Sequence, residues 1–270
     1  MGITSRVGGI PALLQNVVLT VSEPIKIDIW SDIACPWCYI GKRKFEAGSG
    51  LFAGTGDGRA VDVEYHSFEL SPDTPVDFEG SEVDFLAGRK GMPADQVVQM
   101  LERVTGIAAS VGLDYDFDNL KHTNTVKAHE LLHFAKANGR QLELAEALFR
   151  AYFIDGRHVG RDDDLADLAA EVGLDRASAL AALQSDESLS DVRADQALAQ
   201  QYGIQGVPFF VIDGRYGVSG AQDAATFAQV LEQVWAERAA DGADGAGADG
   251  ASADGASAGA AGAERAEVTA

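Results

Sequence analysis

Cysteine is almost missing from this chain: 270 residues contain two, Cys35 and Cys38. A structural zinc knuckle needs four ligands, usually drawn from two such pairs, and no second pair exists. Covalent haem attachment needs a His directly after the second Cys, and Tyr39 stands there. A bridge between Cys35 and Cys38 would also be a poor staple, because so short a loop barely restricts the unfolded chain. Cations are scarce as well: 21 Lys and Arg against 42 Asp and Glu leave a net charge of −21. That balance opposes non-specific binding to nucleic acid or anionic lipid, whose phosphates need a positive surface. No apolar run is long enough to span a bilayer. The first residues carry only Arg6 as a basic group and lack a small-x-small cleavage site, so 1–23 reads as a loose extension rather than a secretion signal.

What is present centres on Cys35-Pro36-Trp37-Cys38. A strand-like run, Ile25 to Trp30, precedes it, and Tyr39 to Phe45 suits the start of a helix. Two thiols on the first turn of a helix can close into a small disulfide ring and so take up or release two electrons. The first lies nearest the unpaired N–H groups and the positive end of the helix dipole, both of which favour its thiolate. Cys35 is therefore the expected nucleophile. Cys38, deeper in the turn, is the expected resolving thiol that breaks a mixed disulfide.

With 46% hydrophobic and 23% charged residues, the chain can bury a sizeable core. Gly-rich punctuation between Gly48 and Gly58 leads to an alternating run, Val61 to Phe68, read as a second strand closed by Pro72 and Pro75. From Val76 the pattern is helical for over a hundred residues. Ala128, Leu131, Leu132 and Ala135 share one face, as do Ala145, Leu148, Phe149 and Tyr152. Asp162, Asp163 and Asp164 suit a helix N-terminus, and Leu189 to Tyr202 reads as a longer helix. Strands return at Phe209 to Ile212 and Tyr216 to Ser219, joined by the hairpin signal Asp213-Gly214. An amphipathic helix from about Asp223 to Arg238 follows, carrying Phe227, Val230, Leu231 and Val234. Beyond it, Ala, Gly and Asp repeat without large apolar residues, so 239–270 is expected to stay disordered.

The order strand, C-x-x-C helix, strand, helical block, helix, Val-Pro, hairpin, helix resembles an α/β thioredoxin-like fold with an inserted all-helical domain, the layout of the DsbA family. Ser31 to Gly41, with Asn124 to His129, Leu148 to Phe153 and Gly203 to Phe210, is similar to its FrnE-like branch. The expected parts are a thioredoxin-like domain in two pieces, 24–72 and 189–238, around an insert over 73–188. The resemblance implies dithiol-disulfide exchange and a cis Val207-Pro208 peptide facing the cysteines. It also implies that Pro36, Trp37, Val207, Pro208 and His129 shape the site or touch substrate. Proline lacks an N–H, so the edge beside the cysteines stays open, and the backbone of Val207 is placed to pair with an extended segment. The intervening Pro-Trp departs from the Pro-His of strongly oxidising DsbA and leaves Cys35 without an imidazolium neighbour. The expected potential is therefore more reducing than about −120 mV, nearer the glutaredoxin range of about −200 to −230 mV.

One motif competes. His129-Glu130-Leu131-Leu132-His133 matches H-E-x-x-H, which on a helix would give a zinc hydrolase two ligands and a base, with Glu143 or Glu146 as a third ligand. The two His flank an apolar stripe, however, and that reading leaves the cysteines and Val-Pro idle. No metal or cofactor is therefore expected. Asn124 and Thr125 precede a helix and suit capping. Other readings are a glutathione-dependent isomerase or transferase of the hydroxychromene-carboxylate isomerase or kappa type, which typically has serine in place of Cys35, and a peptide-binding holdase. The leading expectation is a cytoplasmic thiol-disulfide oxidoreductase, its partners thiols and disulfides of proteins or small molecules, with glutathione or a thioredoxin-type reductant as electron source and no nucleic acid or membrane among them.

Overall fold

The structure, a computed structural model, describes residues 23–56 and 58–248. The expected extension over 1–23 and the last part of the expected tail fall almost wholly outside the described residues. The sheet grows from β1 (Ile25–Ser31), whose alternation sends Ile25, Ile27 and Ile29 to one face and Trp30 to the other. α1 (Pro36–Ala53) is the crossover that brings β2 (Val61–Ser67) back parallel to β1, with Ile25 beside Val61 and Ser31 beside Ser67. β3 (Phe209–Ile212) pairs antiparallel on the other side of β1, and β4 (Tyr216–Ser219) folds back on β3. The order is β2-β1-β3-β4. Asp213 and Gly214 both adopt positive φ, 57° and 64°, at the centre of the turn that the Arg215 N–H closes by donating to the Ile212 carbonyl.

Between β2 and β3 lie the helices of the insert: α2 (Glu82–Lys90), α3 (Ala94–Ala109), α4 (Val126–Ala137), α5 (Gln141–Phe153), α6 (Asp162–Glu171) and α7 (Arg176–Gln184). α8 (Leu189–Gln201) then returns to the sheet, and α9 (Ala224–Ala248) closes the chain. Local signals account for several boundaries. Ser81 and Asp84 form a reciprocal capping box at α2, Asp175 caps α7, and the three aspartates at 162–164 occupy the first turn of α6.

α9 and α1 cover one face of the sheet. Phe45, Phe210 and Phe227 form a triangle with ring centroids 4.7–5.5 Å apart, edge-on or stacked. Gly48 makes this approach possible, because a Cβ there would lie 2.6 Å from the Ala224 carbonyl oxygen. On the opposite face, Trp30 and Val211 pack against Ala199 and Ile204, beside α8. The apolar interior of the insert, built on Leu131, Leu148 and Phe149, is continuous with the sheet core.

The expected disorder after Ala239 is corrected in part. α9 continues through Ala248, although Gly242, Gly245 and Gly247 disfavour helix there. Arg238 ties its helix to Asp213 and to the carbonyls of Glu23 and Pro24, and Arg215 reaches Asp241 at 3.2 Å.

Candidate active site

The cysteine turn is set by its own sequence. Cys35 is the N-cap residue of α1, with extended backbone, and Pro36 fills the first helical position, where its missing N–H costs nothing and its fixed φ suits the helix. Cys35 and Cys38 are only 4% and 2% exposed, while Trp37 between them is 39% exposed. The Cys35 side chain makes no capping bond to the helix N–H groups. Its Sγ instead donates to the Val207 carbonyl oxygen, 3.6 Å away. The Val207-Pro208 peptide is cis. The residues expected at the site thus meet across 172 positions of sequence. Gly41, one turn beyond Cys38, is what lets α1 lie against the proline ring, since a Cβ there would stand 2.9 Å from Pro208 Cγ.

Burial pushes the Cys38 thiol well up, and the neighbouring Cys35 adds to the shift, over the opposing pull of the Ser31 hydroxyl and the Asp32 N–H. Cys38 therefore keeps its proton.

Three supports of this turn escaped the sequence reading. Asp32, 1% exposed, accepts from the N–H groups of Ala34 and Leu70, at 3.2 and 2.7 Å, and from the Thr125 hydroxyl at 2.8 Å. Burial alone would raise its carboxyl, but the His129 ring 3.5 Å away, the Leu70 N–H and Thr125 outweigh it and hold the group below its usual range. Tyr115 donates to the Pro36 carbonyl at 2.7 Å, clamping the turn from the insert. Behind α1, Tyr39 and Arg43 both reach Glu146 of α5, and Lys42 adds a third contact at 2.7 Å. Asp32 stood in the motif-bearing segment, but nothing in its spacing marked it as the partner of a helix ninety residues on.

His129, expected either to shape the site or to touch substrate, is 1% exposed and sits behind Asp32. His133 turns elsewhere, to Asp195 at 3.0 Å and Ser67 at 3.1 Å, and Glu130 pairs with Lys127 at 3.2 Å. Glu143 pairs with Arg140 and Glu146 with the α1 cations. The H-E-x-x-H residues and their proposed third ligands thus do not converge. Asp28, Glu64 and His66 do bring ligand atoms within 4.8 Å of one another. Lys26 and Lys136 are already bound to Glu64, and hydrogen bonds donated by the His66 ring to Asp195 and Asp28 outweigh burial and raise His66 to about 9, so cationic groups occupy this cluster. Asn124 caps locally by accepting from the Val126 N–H at 2.9 Å, whereas the Thr125 hydroxyl is committed to Asp32.

Beside Cys35 a cavity of about 580 Å³ opens between the cysteine turn and the insert. Pro36 and Trp37 contribute to its wall, but Val207 and Pro208 do not. Among the described residues, no helix is long and apolar enough to cross a membrane.

The family described as the DSBA-like thioredoxin domain matches residues 26–232. YwbO of Bacillus subtilis (strain 168) is 31% identical over 211 residues, covering 77% of this chain and 96% of its own. The crystal structure of the probable DsbA oxidoreductase SCO1869 from Streptomyces coelicolor is 40% identical, with a TM-score of 0.73 over 79% of this chain and 91% of that one. The cytosolic disulfide reductase DsbM from Pseudomonas aeruginosa, solved with GSH, shares the fold at 20% identity and a TM-score of 0.55, covering 78% of this chain and 98% of its own.

Proposed function

The chain belongs to the DSBA-like thioredoxin domain family, and from that premise we propose that it is a thiol-disulfide oxidoreductase working through Cys35 and Cys38. The observation that carries the reading is the meeting of Cys35 Sγ with the Val207 carbonyl next to Pro208. The Cys35 thiolate attacks one sulfur of a substrate disulfide. A Cys35-substrate disulfide forms, and the other substrate half leaves as a thiolate that takes up a proton. Cys38 then loses its proton and attacks Cys35 Sγ, closing the Cys35-Cys38 disulfide and releasing the second half. Two electrons have passed from the protein to the substrate. An external thiol, either glutathione or a thioredoxin-type dithiol protein, returns them by the same exchange in reverse.

The raised thiol of Cys38 supports this division of labour, because a protonated second sulfur does not compete for the substrate. Pro36 and Trp37 border the attacking sulfur, and Val207 offers backbone to an extended substrate segment. In this reading the domains divide as 24–72 with 189–238 for the thioredoxin-like part and 73–188 for the insert, and the FrnE-like branch is the one its motifs match. Both cysteines are used at the site, which leaves no structural disulfide and suits a reducing cytoplasm.

Reduction of insulin by dithiothreitol, or oxidation of a dithiol peptide, is expected to disappear in Cys35→Ser. Retained activity would sink the proposal. Cys38→Ala is expected to stall as a mixed disulfide visible by mass spectrometry; turnover that needs glutathione and survives this change would favour the glutathione-dependent isomerase or transferase reading instead.

A further inference from the structure

The cavity beside Cys35 has a size suited to a small molecule and is walled by the cysteine turn, the segment after β2, α2, α3 and the loop before α4. Phe85, Met100 and Leu101 make much of it apolar. Two features give it a polar orientation. His122 is 5% exposed, lies against Phe85 with ring centroids 3.4 Å apart, and gives its Nδ1 to Glu82 at 2.7 Å. Its Nε2 is buried and has no partner among the described residues, although the ring lines the cavity. Lys90 also lines the cavity and makes no ion pair among the described residues, an uncommon state in a chain carrying a net charge of −21.

We propose that this cavity is the binding site for a low-molecular-weight disulfide with an apolar, aromatic or branched body and an anionic group. The proposal rests on the exchange chemistry given above and names its substrate class. The apolar body lies against Phe85, Met100, Leu101 and the His122 ring, and the anionic group meets Lys90. Its disulfide then reaches Cys35, which forms part of the same wall. Cys35 is otherwise almost fully covered, so the cavity gives a small molecule its route to the sulfur. An extended polypeptide would use the Val207 backbone, which lies outside this wall. The electron balance is that of any dithiol exchange: one S–S bond of the ligand is broken, the Cys35-Cys38 bond is made, and two thiols leave.

The test uses the reduced full-length protein in single-turnover reactions with three disulfides: 5,5′-dithiobis(2-nitrobenzoate), which is aromatic and anionic; 2-hydroxyethyl disulfide, which is small and neutral; and a disulfide-bonded peptide. Filling the cavity with Met100→Trp is expected to slow the aromatic disulfide at least about tenfold, to slow the small neutral disulfide less, and to leave the disulfide-bonded peptide unchanged. Leu86→Trp, from the α2 wall, is the second filling variant should the first fail to fold. Lys90→Gln is expected to slow the aromatic anion and to spare the neutral disulfide. Equal effects on all three, or a peptide slowed as much as the aromatic compound, would overturn the small-molecule assignment. Calorimetric binding of 5-thio-2-nitrobenzoate to Cys35→Ser, lost in Cys35→Ser/Met100→Trp, is expected independently of turnover. Binding without turnover in the parent protein would uphold the cavity and refute the exchange mechanism; turnover without binding or selectivity would do the reverse.

Discussion

Gly41→Ala adds a single methyl group at the contact between the cysteine helix and the proline. The new Cβ would stand 2.9 Å from Pro208 Cγ, with Ala221 Cβ and Cα behind it at 3.5 and 3.6 Å. Carbon atoms settle at about 3.5–4.0 Å, so the proline or the helix must move by roughly 0.6 Å or more. The proline ring can change only its pucker, so movement beyond that passes to the backbone that faces Cys35. Overpacking costs about 1–3 kcal/mol, whereas replacing a glycine inside a helix returns about 0.5–1 kcal/mol. The net loss of stability is therefore between about zero and 2.5 kcal/mol. Activity is the sharper readout, because a misplacement approaching 1 Å at reacting groups costs up to about a hundredfold. Insulin reduction by Gly41→Ala is expected to fall about tenfold or more beside wild type. Gly50→Ala is the control on the same helix: a Cβ there meets nothing within 4 Å, so it should raise the melting temperature by about 2 °C and leave the rate unchanged. A Gly41→Ala protein that is stabilised like Gly50→Ala and fully active would refute the claim that this contact sets the site.

Tyr115→Phe removes the hydroxyl that donates to the Pro36 carbonyl, so stability should fall by about 1 kcal/mol and turnover should fall with it. Thermal denaturation and initial rates that both match wild type would show that the clamp is idle. His66, raised to about 9 by its carboxylate partners against an unfolded value near 6.5, contributes stability that is fully present below about pH 6.5 and is lost as pH rises through about 9. The difference in urea stability between wild type and His66→Gln should therefore shrink between about pH 6 and pH 9.5, by at most roughly 3 kcal/mol, and a constant difference would contradict the ion network. Equilibration with glutathione or dithiothreitol buffers should give a potential more reducing than about −120 mV, and a value at or above it would refute the inference drawn from the Pro-Trp dipeptide.

Local signals were reliable where the chain itself satisfies them. Pro36 directly after Cys35, the positive-φ pair Asp213-Gly214 and the aspartates opening α6 each stabilise their element through nearest neighbours, so their positions were legible. The period-two run at β1 likewise announced which isoleucines face the core. The same reasoning failed after Ala239, where the absence of large apolar residues suggested disorder but α9 runs on through Ala248, with Asp241 held by Arg215. The H-E-x-x-H spacing correctly described two imidazoles one helical turn apart. It did not disclose that Asp32 sits beside one and Asp195 holds the other, because those partners come from β1 and α8.

By itself, the sequence determined that two sulfurs would share one helical turn, since separations of three residues on a helix are set by backbone geometry. Only the tertiary structure decided what surrounds them. It placed the Val207 carbonyl against Cys35 Sγ, seated Thr125 on Asp32, hung Tyr115 over Pro36 and left a cavity whose far wall carries His122. Those contacts join segments 79 to 172 residues apart. They depend on side-chain volume and direction after the sheet and insert have packed, and no periodicity along the chain encodes such distances.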